Sequence, residues 1–228
     1  MNAIFITGIG TDVGKTIVAA LLAEALEADY WKPVQAGYDA GTDSTFMHDV
    51  ISNNRTFIHT ETYKLKLAAS PHIAAKEEGI KIELDKIYED YLSIVNRQSS
   101  IVNSNPLSID HSQTHHLIIE GAGGLMVPLN ENEFVIDLIK KLGAKVIVVS
   151  RNYLGSINHS LLTASICKQN NIDVLGWIFN DHYMNYEDEI VQWSGYPKIA
   201  SLPFIENINV GIIQQQANII KPNLRSLI

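Results

Sequence analysis

Four consecutive apolar residues, Ala3, Ile4, Phe5 and Ile6, run into Thr7-Gly8-Ile9-Gly10-Thr11-Asp12-Val13-Gly14-Lys15-Thr16, which passes straight into the helical pattern Ile17-Val18-Ala19-Ala20-Leu21-Leu22. An apolar run without alternation reads as a strand buried on both faces, the pattern of the centre of a parallel sheet. Glycines after it permit a loop whose N–H groups point inward, and the following helix turns its positive N-terminal end to the same spot. The segment is expected to cradle phosphate, with Lys15 reaching the β- and γ-phosphates and the Thr16 hydroxyl ligating magnesium. Five residues separate Gly8 from Gly14 and three separate Gly10 from it, so the loop is longer than the common pattern with its four intervening residues. A dinucleotide fingerprint would share Gly8 and Gly10 but places a glycine where Val13 stands, and it gives Lys15 and Thr16 no purpose.

The rest of the chain fits one α/β domain spanning 1–228, a mostly parallel sheet flanked by helices. Strands are expected at Ala3–Thr7, Tyr30–Val34, Leu117–Glu120, Lys145–Ser150, Val174–Asn180 and Lys198–Leu202. Helices are expected at Lys15–Ala28, Ser44–Ser52, Glu83–Arg97, Glu133–Leu142, Ile157–Asn170 and Asn185–Trp193. The segment 98–116, rich in Ser, Asn, Gln and His and carrying Pro106, reads as a polar loop. Lys and Arg number 17 against 25 Asp and Glu, a net charge of −8, which argues against nucleic acid as a partner because phosphate backbones are held by clustered basic side chains. A single cysteine, Cys167, forms no internal disulfide, the first residues lack a signal peptide's pattern, and no apolar run approaches a membrane span. A cytoplasmic protein without membrane contact is the expectation.

Magnesium held by a nucleotide calls for a carboxylate at another strand's end. Glu120 follows the apolar run Leu117-Ile118-Ile119 and precedes Gly121-Ala122-Gly123-Gly124, small residues that let a ligand approach. A second acid is expected after the second strand, where Asp43 competes with Asp39 and Asp49, and where Asp43 reads equally well as a helix N-cap. Lys32 lies in the apolar stretch Tyr30-Trp31-Lys32-Pro33-Val34. Such a lysine either faces an anion, such as a substrate carboxylate, carbamate or phosphate, or carries its stem out to water.

Together the blocks GIGTDVGKT, KPVQAG, SPHIAA, EGAGG, GSINH and GWIFND, running from residue 8 to residue 181, resemble the dethiobiotin synthetase family. The resemblance implies a P-loop NTPase-like fold and a homodimeric, ATP- and magnesium-dependent ligase. Its substrates would be ATP, CO2 and 7,8-diaminopelargonic acid, whose two amines are joined through CO2 into a ureido ring with release of ADP and phosphate. Carried over by position, Asp12, Val13, Gly14, Lys15, Thr16 and Ile17 would bind the phosphates, with Gly121, Ala122 and Gly123 beside them. Thr16, Asp43 and Glu120 would surround magnesium. Lys32 would be the catalytic lysine at the carbamate, with Lys15 and Thr11, and Ala36 would border the substrate. Asn180 and Asp181 would read the base, with Pro203, Phe204 and Ile205 lining that end. Gly155, Ser156, Ile157 and Asn158 would receive the substrate's carboxylate from the partner subunit. Two positions depart from the family: Ala36 stands where a hydroxyl residue is usual, leaving Gln35 or water to substitute, and Asp12 where Glu is common.

The rival reading is a dimeric switch ATPase of the partition or nitrogenase-iron-protein type, weakened because Ile9 and Gly10 stand where those proteins carry an early loop lysine. The histidines do not argue for a metal: His111, His115 and His116 read as solvated, His48 and His59 have no partner at ligand spacing, and His72 and His159 read as structural. Cys167 and Trp31, Trp177 and Trp193 read as packing residues.

Overall fold

The computed structural model describes residues 2–39, 41–104, 115–225 and 227. β1 (Asn2–Gly8), β2 (Asp29–Trp31), β4 (Ile58–His59), β6 (His116–Gly124), β7 (Lys145–Arg151), β8 (Val174–Asn180) and β9 (Lys198–Leu202) form one sheet in the order β4-β2-β6-β1-β7-β8-β9. Every pairing in it is parallel. β1 takes the middle place, as its unbroken apolar run predicts. Alternate side chains of a strand leave by opposite faces, and here Ile4 and Ile6 join one hydrophobic core while Phe5 joins the other. The first core is built with α1 (Lys15–Leu26), α2 (Asp43–Val50) and α8 (Val210–Arg225). The second takes in α3 (Pro71–Glu77), α4 (Leu84–Ser104), α5 (Val135–Leu142), α6 (Ser156–Gln169) and α7 (Glu187–Ser194).

The structure corrects several expectations. The apolar string Tyr30–Val34 is not one strand: β2 ends at Trp31, and β3 (Val34–Ala36) pairs with β5 (Tyr63–Leu65) in a separate two-stranded sheet. Pro33 sits at the break, where a residue without an N–H cannot continue a ladder, and its carbonyl accepts from the Tyr63 N–H instead. β4, β5, α3 and α8 lacked a legible pattern in the sequence. Residues 98–104 continue α4 rather than forming a loop, and 105–114, the remainder of the expected polar loop with His111, lie outside the described residues.

The histidines also differ from expectation. His116 opens β6 and is buried. Asp29, wholly enclosed at the start of β2, accepts through Oδ2 from His59 Nε2 at 3.0 Å and through Oδ1 from the Phe57 N–H at 3.0 Å, with His115 Nε2 3.4 Å from that same Oδ1. Burial pushes the Asp29 carboxyl upward, and His115, His59 and the Phe57 N–H outweigh it, holding the group well below the usual carboxylate range. Cys167 is a core thiol as expected, pushed up to about 12 by burial. No described helix is long and apolar enough to cross a membrane.

Candidate active site

At the C-terminal end of β1 the chain turns through residues 9–14 into α1. Gly14, just before the helix, has φ 94°, a left-handed conformation that glycine adopts without penalty. A Cβ at that position would stand 2.2 Å from the Asn180 side-chain nitrogen. Gly8 is required for a different reason, since a Cβ there would meet Val13 Cγ2 at 2.5 Å. Val13 is thus tucked beneath the loop, and Lys15 folds back to donate to the Gly10 carbonyl at 2.9 Å. Burial lowers the Lys15 pKa, with Glu120 pulling the other way.

Parallel pairing brings the acid to this loop. Glu120 of β6 lies in register with Ile6 of β1, two residues before Gly8, so it stands within the strand rather than at its end. One of its oxygens, Oε1, accepts from Thr16 Oγ1 at 2.8 Å and from Lys32 Nζ at 3.1 Å. The other, Oε2, accepts from the Tyr30 hydroxyl at 2.7 Å. Asp43 joins from the start of α2, accepting from Thr16 at 3.2 Å and from Lys32. The N-cap of α2 is Thr42, whose hydroxyl accepts from the Thr45 N–H at 3.1 Å. The capping alternative for Asp43 is thereby removed, and its carboxylate is left to the cluster.

Lys32 sits at the break between β2 and β3 with its side chain only 9% exposed. Burial lowers its pKa, but Glu120 and Asp43 more than offset this and the net shift is upward. Tyr30, buried throughout, is raised well above the ordinary phenol value by burial and then by Glu120, so it stays a donor.

These groups open onto a cavity of about 820 Å³. Thr11, Asp12, Gly14, Lys15, Thr16, Ile17, Lys32, Ala36, Asp43, Glu120, Ala122 and Gly123 all line it. Val34, Gln35, Val127 and the Ala68–Pro71 turn complete the wall. Of these, Val34, Gln35, Ser70 and Pro71 fall within the blocks KPVQAG and SPHIAA, while Ala68, Ala69 and Val127 carried no signal in the sequence. Gln35 does not replace the hydroxyl missing at Ala36. Its side-chain amide is committed, with Nε2 donating to the Gly37 carbonyl at 2.8 Å and Oε1 accepting from the Asp43 N–H at 3.3 Å.

Other expected residues lie outside this cavity. Asp39 and Asp49 are exposed and do not join the cluster. Gly121 packs beneath the strand, where a Cβ would meet Phe5 at 2.6 Å, and Val13 is buried under the loop. At the end of β8, Asn180 Nδ2 donates to the Val13 carbonyl at 3.1 Å. Its neighbour Asp181, at φ 69°, is held by Arg151 at 3.2 Å. Pro203, Phe204 and Ile205 follow β9 beside β8, with Phe204 65% exposed. Gly155 and Asn158 are exposed at the start of α6, Ile157 is half-buried, and Ser156 is buried with its hydroxyl bonded to Tyr186 at 2.8 Å.

A parallel sheet whose central strand feeds a glycine loop, a Lys-Thr pair and a helix, with a carboxylate on the adjacent strand, defines a P-loop NTPase-like protein. A family model described as an AAA domain matches residues 2–210. The chain belongs to the ATP-dependent dethiobiotin synthetase family. It is 44% identical to the Cytophaga hutchinsonii ATP-dependent dethiobiotin synthetase BioD, covering 95% of this chain and 96% of that one. The Christiangramia forsetii protein of the same name is also 44% identical, over 77% of this chain and 74% of the relative. Among solved structures, the MinD cell division protein of Aquifex aeolicus superposes with a TM-score of 0.58 at 13% identity, covering 100% of this chain and 97% of that one. That likeness is one of fold. The switch-ATPase alternative falls on the sequence relatives, which are synthetases over nearly the whole chain.

Proposed function

We propose that this chain closes the ureido ring of dethiobiotin from 7,8-diaminopelargonic acid, CO2 and ATP, releasing ADP and phosphate. The observation that carries the reading is the convergence of Lys15, Lys32, Thr16, Asp43 and Glu120 on one cavity above the glycine loop.

A magnesium ion fits the residues present. Asp43, Glu120 and Thr16 form an all-oxygen donor set, with the Thr16 hydroxyl within hydrogen-bond distance of both carboxylates, the type a hard divalent cation takes, and a cationic group, the Lys32 ammonium, already bridges the two carboxylates. When bound there, magnesium would offset charge on the β- and γ-phosphates.

In the reaction an amine of the substrate adds to CO2 and loses a proton, giving a carbamate. Its oxygen attacks the γ-phosphorus of ATP and ADP departs. The second amine then attacks the carbonyl carbon of the mixed anhydride, phosphate leaves and the ring closes. Each intermediate is anionic, so fixed positive groups are what the site must supply. Lys15 and the N–H groups of residues 12–17 would hold the phosphates at the helix N-terminus. Lys32, nearly excluded from water, would hold the carbamate, with Thr11 beside it. Ala36 would border the substrate. Asn180 and Asp181 would receive the base, with Pro203, Phe204 and Ile205 along its edge. The turn Gly155–Asn158, with Gly155 and Asn158 exposed, lies outside this chain's cavity, which is compatible with its use by a second copy, the N–H groups of α6 receiving the substrate's carboxylate across a homodimer.

The test is incubation with diaminopelargonic acid, bicarbonate, magnesium and ATP. The expected result is ADP formed together with a product heavier than the diamine by one carbonyl and lighter by two hydrogens. ATP hydrolysis indifferent to the diamine would overturn the reading.

A further inference from the structure

Tyr30 is the residue that the proposed chemistry leaves without a role. Its ring lies in the core beside α1, wholly buried. On β2 it stands in register with Ile118 of β6. Side chains two residues apart on a strand share a face, so Tyr30 shares a face with Glu120, and its hydroxyl spans that step to reach Oε2 at 2.7 Å.

Packing alone does not explain a tyrosine here, since phenylalanine would fill the same space without a polar atom that needs a partner. The terminal torsion of a glutamate is soft, with no sharp minimum of its own. Glu120 is 1% exposed, and the rotation of its carboxylate is therefore set by the donors around it. Thr16 and Lys32 both address Oε1. Among the described residues, Tyr30 is the donor on Oε2.

We propose that Tyr30 is a positioning residue for Glu120: by clamping Oε2 it fixes the carboxylate plane and aims Oε1 at the cluster formed by Thr16, Asp43 and Lys32. The proposal rests on the reading that Glu120 serves the metal of the nucleotide. It concerns this chain's own tyrosine and leaves the reaction scheme unchanged.

The experiment measures Mn2+ affinity by titration calorimetry, in the presence of a non-hydrolysable ATP analogue, for the whole protein and for Tyr30→Phe, Glu120→Gln and the double variant. Loss of a group that orients a metal ligand costs about 10- to 100-fold in metal affinity. Tyr30→Phe is expected to weaken Mn2+ by that factor while leaving metal-free binding of the analogue and the KM for the diamine unchanged. In the double variant, removing the hydroxyl is expected to add nothing to the effect of Glu120→Gln, and this background also removes the buried carboxylate whose Oε2 would lose its donor in the single variant, Lys32 and Thr16 still holding Oε1. Full Mn2+ affinity in Tyr30→Phe, with Glu120→Gln impaired, would overturn the positioning role alone. Full affinity in Glu120→Gln would overturn the metal reading beneath it. A lower melting temperature with unaltered Mn2+ affinity would make Tyr30 a packing residue and nothing more.

Discussion

The side-chain amide of Asn180, at the end of β8, donates to the carbonyl of Val13 in the glycine loop at 3.1 Å, across 167 positions of sequence. That bond leaves no room for a side chain at Gly14, whose added Cβ would stand 2.2 Å from the same nitrogen while φ is 94°. Left-handed backbone costs a residue with a Cβ about 1–2 kcal/mol, and the clash adds to it. We predict that Gly14→Ala weakens binding of an ATP analogue by at least about tenfold, the equivalent of roughly 1.4 kcal/mol. Asn180→Ala alone should also weaken the analogue, since Asn180 is proposed to receive the base, and the double variant should lose less than the sum of the two single losses because the clash at Gly14 is then gone. Wild-type affinity in Gly14→Ala would show that the loop yields more freely than these contacts imply.

Lys32→Gln should remove the charge presented to the carbamate while leaving the glycine loop intact. Deleting one fixed donor to a developing anion costs roughly 100- to 1,000-fold in turnover, so ring closure should fall by at least that much with ATP affinity nearly unchanged. The same variant leaves Asp43 and Glu120 facing each other without their ammonium, and stability in the absence of magnesium should fall by about 1–3 kcal/mol. Product formation and urea denaturation measure the two effects separately.

Asp29 gives the fold an acid limit. Its carboxyl is held below the usual range in the folded chain, so the stabilisation is present above the unfolded value of about 4 and is lost as pH falls below it. We predict that the protein loses stability from about pH 4 downward and that Asp29→Asn flattens this slope. At neutral pH the variant should be weaker by about 1–3 kcal/mol, because His59, His115 and the Phe57 N–H lose a charged acceptor. Denaturation curves at pH 3 and pH 7 would check both; an unchanged acid slope would point to another carboxylate.

Cys167 should be inert while the protein is folded. It has no exposed surface and its thiol is pushed up to about 12, and the thiolate is the form that reacts. Iodoacetamide at pH 8 should modify it only in denaturant, as followed by a mass increase; rapid modification of the native protein would mean that α6 opens readily.

How much of this was legible in the sequence follows from distance along the chain. The glycine loop, Lys15 and Thr16 are contiguous, and Glu120 was marked by its apolar run and the small residues after it. β1 declared its central place through Ala3–Ile6. Asp43 was visible only as one of several acids, because its exclusion from capping depends on Thr42 taking that role. Tyr30 entered only as the first residue of an expected strand, and its hydroxyl acquires a purpose only when β2 lies beside β6. Lys32 stood within an apolar string, and the change of sheet at Pro33 was hidden because hydropathy does not register a missing N–H. The Asp29 cluster gathers His59 from β4 and His115 from just before β6, a meeting that no local spacing announces. α8 went unmarked because its apolar residues are set among Gln and Asn and Pro222 stands inside it.

β1 contributes Ile4 and Ile6 to one hydrophobic layer and Phe5 to the other before it reaches Gly8. The strand therefore works as a shared girder, and the loop at its tip cannot slacken unless both layers do. A ligand gripping that loop braces the whole sandwich against heat. Nucleotide at 100 times its dissociation constant should add about 2.7 kcal/mol to global stability, spread over both faces of the sheet, so a single melting transition would report how full the cradle is.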